Sequence, residues 1–241
     1  MNKYRIAGLI VEMQPNFELL KSRSESYLTD SEKEADITIH VSNDMIELLK
    51  KQNPNLTVDE CEYLLYGLDF YQKLPDFDAI LLHSSCVAVD GYAYLFSAPC
   101  GTGKSTHTSL WKKHFGDRLT FINDDKPALR LIDGKWYAYG TPWCGKDGIN
   151  INMKAELAGI CFLKQAPQNK ICRLDQKQAI SNILWQTIHN FRSTERLDSA
   201  LSLIENLVTT IPVYEFENLP IPESAELSYN TMRNGAKEMG L

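Results

Sequence analysis

The segment at residues 98–106 carries glycines, a lysine and hydroxyl groups in the order that a phosphate-binding loop requires. Gly101 and Gly103 precede Lys104 and Ser105. Glycines allow backbone N–H groups to turn toward a phosphate, and the positive end of a following helix strengthens the attraction. The lysine of such a loop reaches the outer phosphates, and the next hydroxyl holds Mg2+. The pattern predicts binding of a nucleoside triphosphate, ATP with Mg2+, through residues Ala98, Pro99, Cys100, Gly101, Thr102, Gly103, Lys104, Ser105 and Thr106.

Ala98 departs from the full pattern GxxxxGK[ST], which has glycine at this position. A methyl group restricts the backbone without filling the loop, so we expect an adjusted geometry and not a lost site. The alternative is a chance match in a surface turn. The strand predicted before the segment and the helix predicted after it favour the functional interpretation.

Two adjacent carboxylates, Asp124 and Asp125, follow a predicted strand about twenty residues after Lys104. Ligands of open α/β sheets bind at the carboxyl ends of strands. Asp124 is predicted to hold Mg2+ or its water, and Asp125 to accept a proton from an attacking hydroxyl, the role of a general base in phosphoryl transfer. The alternative is a solvated turn at a strand end.

A predicted hairpin brings His83 toward the loop. The dipeptide Asp90-Gly91 favours a two-residue type I′ turn. If Val89 faces Tyr92, His83 lies opposite Ala98. An imidazole there could neutralise phosphate charge or tune the pKa of Asp125, although a histidine in an apolar strand is often structural.

A second predicted hairpin turns at Asp133-Gly134, and its register places Asp125 near Pro142. The segment that follows contains Thr141 and Lys146, which become candidate contacts of the phosphoryl acceptor. A purely structural loop is the alternative, and for this segment the structural interpretation is favoured.

The wider pattern predicts an α/β fold in two parts, a small N-terminal α+β lobe at 1–75 and a nucleotide-binding domain at 76–241. In the lobe a capping box at Thr57 to Glu60 starts a helix whose apolar stripe is predicted to face the core. That stripe comprises Val58, Cys61, Leu64, Leu65, Leu68 and Tyr71. Strands are predicted at 5–13, 36–41, 79–89, 92–97, 119–122, 127–132, 135–139, 157–164 and 213–216. Helices are predicted at 43–52, 57–75, 103–115, 176–190, 195–210 and 224–237.

Composition excludes several other classes of protein. The chain has 241 residues, a formal net charge of -6 and six cysteines without a CxxC pair. An acidic balance disfavours a nucleic-acid or membrane-surface partner, and scattered cysteines disfavour a zinc ribbon. Without a signal peptide or an apolar run of bilayer length, we expect a cytoplasmic protein. The oligomeric state is open, a homo-oligomer included.

Taken together, these motifs resemble the superfamily of HPr serine kinase/phosphorylase and ATP-dependent phosphoenolpyruvate carboxykinase, over roughly residues 79–165. The resemblance rests on Leu82-His83-Ser84-Ser85, Asp90-Gly91, Gly101-Thr102-Gly103-Lys104-Ser105-Thr106, Asn123-Asp124-Asp125 and Gly140-Thr141-Pro142-Trp143-Cys144-Gly145-Lys146. It implies a P-loop core built on a mixed sheet with hairpins. It also implies a catalytic histidine at His83, the loop lysine at Lys104, the Mg2+ hydroxyl at Ser105 and the proton acceptor at Asp125.

Two hypotheses follow from the sequence. The first is a kinase that moves the γ-phosphoryl group of ATP to a hydroxyl of a protein, a peptide or a small molecule. The second is a regulatory module that binds the nucleotide without transferring phosphate. Ala98 favours the second hypothesis. So does the stretch 146–150, which lacks the Mg2+-binding glutamate that the resemblance implies.

Overall fold

The computed structural model describes residues 1–99, 101–188 and 191–241. This part of the chain contains twelve β-strands and seven α-helices. The strands are β1 (Asn2–Ile6), β2 (Leu9–Met13), β3 (Ile37–Thr38), β4 (Ala79–Leu81), β5 (Ser85–Val89), β6 (Tyr92–Ser97), β7 (Leu119–Asn123), β8 (Ala128–Ile132), β9 (Lys135–Tyr139), β10 (Lys154–Gln165), β11 (Lys170–Arg173) and β12 (Val213–Asn218). The helices are α1 (Glu18–Ser24), α2 (Asn43–Gln52), α3 (Val58–Lys73), α4 (Lys104–Phe115), α5 (Gln176–Trp185), α6 (Thr194–Thr210) and α7 (Glu223–Glu238). None of these helices combines the length and the apolar character that a bilayer crossing needs.

Both predicted Asp-Gly hairpins are confirmed. Asp90 and Gly91 have φ values of 52° and 87°, and Asp133 and Gly134 have 50° and 78°. Positive φ at both central residues is the geometry of a type I′ turn. The first turn joins β5 to β6, and the second joins β8 to β9, each in the predicted register. These two hairpins fix the positions of four strands in the larger sheet.

The larger sheet is mixed, in the order β4-β8-β9-β10-β6-β5-β7, with β12 beside β10 and β11 beside β12. Strands β6, β10 and β12 are parallel neighbours. Their carboxyl ends, at Ser97, Gln165 and Asn218, therefore lie along one edge of the sheet. The glycine-rich loop leaves β6 at this edge, where α/β proteins bind their ligands.

The predicted strand at 79–89 is wrong in one respect, because the structure divides it into β4 and β5. The backbone N–H of His83 donates to the carbonyl of Gln186 at 2.7 Å, and that of Ser84 donates to the carbonyl of Asp125 at 3.0 Å. These bonds replace ladder pairing at the break. His83 therefore lies in a connection between two strands, where its side chain is not confined to a sheet face.

Two further predicted elements differ in extent. The strand predicted at 5–13 is a hairpin, since Ala7 and Gly8 turn the chain with φ values of 52° and 76°. The helix predicted at 176–190 ends at Trp185 and is followed by Gln186 as its C-cap. Residues 189 and 190 lie outside the described ranges.

The predicted capping box at α3 is confirmed, but the predicted buried face of the helix is partly wrong. Val58, Leu64 and Leu68 are 38%, 41% and 41% exposed. The buried face carries Cys61, Glu62, Tyr63, Tyr66, Gly67, Phe70, Tyr71 and Gln72. Aromatic side chains occupy the buried face in place of the predicted leucines. Because Gly67 has no side chain, the indole of Trp143 packs directly against it, and Trp143 Cδ1 lies 2.8 Å from the position of a Cβ added to Gly67. The lobe thereby packs against the segment that follows β9.

Helix α4 is joined to α7 through a buried polar contact at His107. Trp111 Nε1 donates to His107 Nε2 at 3.1 Å and to Ser228 Oγ at 2.9 Å, while His107 Nδ1 has no hydrogen-bond partner among the described residues. Burial lowers the pKa of His107 from 6.5 to about 3. The folded protein therefore binds this proton less readily than the unfolded chain does.

Acidification is expected to destabilise the fold through His107. A histidine with a depressed folded-state pKa contributes full stability above pH 6.5 and loses it as the pH falls toward 3. Between pH 6.5 and 4.5 the loss from one such group is about 2 kcal/mol. Urea unfolding at pH 7 and pH 4.5 should show a smaller pH-dependent loss for His107→Gln than for wild type or for the exposed control His114→Gln. An equal loss in all three proteins would contradict this assignment.

Candidate functional site

The glycine-rich loop lies between β6 and α4. Gly101 and Gly103 have φ values of 80° and 109°, and α4 begins at Lys104 with Gly103 as its N-cap. A side chain is strained at such angles, so both positions require glycine. A Cβ added at either glycine would meet no atom within 4 Å. Cys100 lies outside the described residues. The loop leads into the N-terminus of a helix of twelve residues, a position that favours an anion.

Ala98 is accommodated by its position in the core. Its side chain is 2% exposed and packs with Phe96 and Trp111. It is not among the residues with positive φ, so its conformation does not require glycine. Lys104 Nζ donates to the Ala98 carbonyl at 2.8 Å, which brings the ammonium group to the loop. Ser105 and Thr106 are exposed in the first turn of α4.

Asp125 accepts from two basic side chains. His83 Nε2 lies 2.9 Å from Oδ1, and Lys126 Nζ contacts Oδ2. Burial alone would raise the pKa of Asp125, but the hydrogen bonds from His83 and Lys126 together with their charges hold this pKa well below the usual value of 3.8. The carboxylate is therefore ionised throughout the neutral range. Sequence analysis did not single out Lys126, although it is the adjacent residue.

His83 connects the carboxylate to the loop-bearing strand. Its carbonyl accepts from Ser97 Oγ at 2.7 Å, at the end of β6. Its Nδ1 lies 3.0 Å from Gln186 Oε1. The hairpin register had predicted the proximity of His83 and Ala98. Gln186 was not predicted, because it is distant in the sequence and lies beyond the end of α5.

Asp124 faces the segment that follows β9. The backbone N–H of Gly145 donates to Asp124 Oδ1 at 2.5 Å, and the Asp124 N–H donates to the Ile149 carbonyl at 3.2 Å. Burial raises the pKa of Asp124, while the bond from Gly145 opposes this rise. Asp124 Oδ2 has no donor among the described side chains and backbone groups, so this oxygen can accept from a further ligand.

Asn123 holds the turn that carries Asp125. Its Oδ1 accepts from the backbone N–H groups of Asp125 at 2.9 Å and Lys126 at 2.7 Å. Its Nδ2 donates to the carbonyls of Thr141 and Trp143, each at 3.1 Å. The side chain is fully buried. A single amide thus holds the turn that carries Asp125 against the segment predicted to lie beside it.

A cleft of about 440 Å³ opens beside Asp125 and Lys126. The lobe and the segment after β9 supply its other lining residues, Leu19, Arg23, Leu56, Glu60, Tyr63, Leu64, Cys144, Gly145 and Lys146. Arg23 is fixed there, since its guanidinium donates to Tyr63 Oη and to the carbonyls of Cys144 and Gly145. The arrangement places an ionised carboxylate at one end of an accessible, partly cationic cleft.

The two candidate acceptor contacts differ in accessibility. Lys146 is exposed and lines the cleft. Thr141 is fully buried, with Oγ1 2.8 Å from Tyr71 Oη and 2.8 Å from the Lys126 carbonyl. These contacts favour the structural alternative for Thr141, as an anchor of the turn after Asp125.

Comparisons with known proteins match this chain to solved structures and not to sequence families. No protein-family model matches the chain, and no curated protein matches it. Among solved structures, the Hpr(Ser) kinase/phosphatase from Coxiella burnetii aligns with a TM-score of 0.38 and 13% sequence identity, covering 66% of this chain and 92% of that chain. Membership of a family does not follow from these comparisons.

Proposed function

We propose that this protein transfers the terminal phosphoryl group of ATP to a hydroxyl of an acceptor bound beside Asp125. The observation that carries the proposal is the position of His83, which bonds to Ser97 at the loop-bearing strand and to Asp125 in the adjoining cleft. A phosphate cradle and an ionised carboxylate are thereby held on one short network. Transfer from a nucleotide to a hydroxyl needs both groups in that relation.

Each residue has a defined role in this proposal. The loop N–H groups and Lys104 hold the phosphates and stabilise the charge that develops during transfer. Asp125 orients the acceptor hydroxyl and receives its proton as the new O–P bond forms. The bond from the γ-phosphorus to the oxygen that bridges it to the β-phosphorus breaks, and ADP leaves. The carboxylate has about four acceptor positions, so bonds to His83 and Lys126 leave room for a hydroxyl. His83 and Lys126 then balance the charge beside the reacting groups.

We assign Ser105 and Asp124 as the residues that would hold a magnesium ion. Ser105 presents an exposed hydroxyl in the first turn of α4, and Asp124 retains Oδ2 for a metal-bound water. Mg2+ prefers oxygen ligands and keeps several waters in such sites. When bound, it would neutralise phosphate charge and orient the terminal phosphoryl group.

The acceptor is a protein, a peptide or a small molecule with a hydroxyl group. The cleft that would receive it is lined by Lys146 and, from the lobe at 1–75, by Arg23 and Leu64. We assign these side chains to acceptor binding, with the lobe as one wall of the acceptor site. Thr141 supports the site from inside.

A nucleotide-binding regulatory module remains the second candidate function. The observation that favours it is the engagement of both Asp125 oxygens by His83 and Lys126, which lowers the pKa of the carboxyl and weakens it as a base. In this reading nucleotide binding changes the shape of the neighbouring cleft for a partner, and no phosphoryl group is transferred.

Loss of Lys104 is expected to weaken nucleotide binding. Lys104→Ala should reduce the affinity for ATP with Mg2+ by about 10- to 150-fold, the equivalent of about 1.5–3 kcal/mol for a hydrogen bond to a charged group. Calorimetry measures this affinity, and Lys113→Ala on the exposed face of α4 is the matched control. Equal affinities in the two variants and wild type would remove the loop from the proposal.

The kinase and the regulatory module are distinguished by product formation. Wild-type protein is incubated with γ-labelled ATP, Mg2+ and a panel of hydroxyl-bearing proteins, peptides and small molecules. A labelled acceptor supports the kinase. Nucleotide binding by calorimetry, with no labelled acceptor across the panel, supports the regulatory module.

A further inference from the structure

A second face of the glycine-rich loop forms a separate cleft of about 530 Å³. We name it the distal cleft, and it is lined by Thr102, Gly103, Thr106, Gln165, Ala166, Asn218 and Pro220. These residues lie at or just beyond the carboxyl ends of the parallel strands β6, β10 and β12. The cleft is therefore continuous with the loop and with the N-terminus of α4.

The network around His83 indicates which end of a nucleotide faces this cleft. Another cavity beside the loop, of about 390 Å³, includes Ala98 and Gln186 in its lining. Gln186 bonds to His83, and His83 bonds to Asp125. The distal cleft shares only Thr102 and Gln165 with that cavity and contains none of the three network residues. The distal cleft therefore offers a place for the nucleoside of a nucleotide whose terminal phosphate points toward Asp125.

Asn218 lines the distal cleft with an unsatisfied amide. The residue is 6% exposed, and its Oδ1 is buried without a hydrogen-bond partner in the described part of the chain. Leaving a buried polar group unpaired is costly, so such a group in a folded protein calls for an explanation. The neighbouring backbone does not provide it, because the Ala166 N–H donates to the backbone carbonyl of Asn218 and not to its side chain.

We propose that the distal cleft binds the nucleoside and that the Asn218 amide selects adenine, an inference that rests on the proposed function. An amide offers a donor and an acceptor side by side. Adenine presents the complementary pair, its 6-amino group and an adjacent ring nitrogen, whereas guanine presents two acceptors at the corresponding edge. Because Oδ1 is buried in this structure, pairing with the base requires rotation of the amide about its terminal bond.

Two neighbours suit the remainder of a nucleoside. Gln165 Nε2 donates to the Thr102 carbonyl at 3.4 Å, which leaves Gln165 Oε1 to accept from a ribose hydroxyl. The ring of Pro220 offers an apolar surface to the face of the base. Thr106, at the N-terminus of α4, lies between the nucleoside position and the phosphate cradle.

Calorimetry with ADP and GDP in the presence of Mg2+ tests this inference without requiring turnover. Wild type should bind ADP about 5- to 150-fold more tightly than GDP, the discrimination given by a paired amide. Asn218→Asp keeps an acceptor but removes the donor, so the pairing with the ring nitrogen of adenine is lost. This variant should lose most of the preference for ADP, while Asn55→Asp, which adds the same charge at an exposed site in the lobe, should retain it.

A modified ligand tests the same contact in the wild-type protein, so the inference does not depend on the folding of a variant. Purine riboside 5′-diphosphate lacks the 6-amino group and should bind about 5- to 150-fold less tightly than ADP. Equal affinities for ADP, GDP and this analogue would overturn the assignment of Asn218 while leaving the phosphate loop intact. Failure of wild type to bind any of the three would overturn the proposed function and this inference together.

Discussion

Asp125→Asn is expected to lower phosphoryl transfer by about 10²- to 10⁴-fold, the contribution typical of a positioned general base. Asparagine keeps the shape of the side chain but cannot accept the proton that the acceptor hydroxyl releases. Its Oδ1 can still accept from His83 or Lys126, so the surrounding network has a partner. Affinity for ATP should change little, because the variant leaves the loop and Lys104 untouched.

Single-turnover rates and calorimetry on the same samples separate these two effects. The matched control is Asp147→Asn, which removes one negative charge from an exposed position in the segment after β9. A rate for Asp125→Asn that equals those of wild type and Asp147→Asn would show that the carboxylate takes no part in transfer. The proposed transfer reaction would then lack its general base.

The low pKa of Asp125 also sets an expectation for the pH profile. With its pKa held below 3.8, the carboxylate stays ionised as the pH falls from 8 to 5. Any loss of transfer in that window must therefore come from another group. The pKa of Asp125 is lowered because the bonds to His83 and Lys126 favour the charged carboxylate more than burial disfavours it.

Local chemistry explains which parts of the fold could be predicted from the sequence. Asp-Gly turns at 90–91 and 133–134 specify hairpins with a definite register, so four strands and the proximity of His83 to the loop followed from short segments. The capping box at Thr57 likewise depends only on residues within one turn. Such signals do not require knowledge of the rest of the chain.

Long-range packing explains what could not be predicted. The buried face of α3 depends on Trp143, which inserts against Gly67 from a segment that follows β9. Arg23 reaches the carbonyls of Cys144 and Gly145, and Gln186 reaches His83. Each contact joins residues far apart in sequence, and no periodicity within one element encodes it. The cleft beside Asp125 and Lys126 therefore has one wall, from residues 1–75, for which the sequence alone predicted no function.

Asn123→Ala should destabilise the fold by about 3–5 kcal/mol, because it leaves several buried groups unpaired at about 1–3 kcal/mol each. The backbone N–H groups of Asp125 and Lys126 lose their acceptor, and the Thr141 carbonyl loses its donor. The Trp143 carbonyl loses one of two donors and keeps Thr141 Oγ1. The turn carrying Asp125 is then no longer tied to the segment after β9. Urea unfolding measures the change, with the exposed Asn152→Ala as the control, since that amide makes one hydrogen bond to Ser26.

The same variant distinguishes positioning from simple stabilisation. Under conditions where Asn123→Ala remains folded, transfer should fall while ATP affinity is retained, because the displaced carboxylate lies outside the phosphate loop. A variant that loses about 1 kcal/mol or less and transfers at the wild-type rate would show that other bonds hold the turn, such as that from Ser84 N–H to the Asp125 carbonyl. Loss of transfer in step with the unfolded fraction alone would show that Asn123 stabilises the fold without setting the position of Asp125.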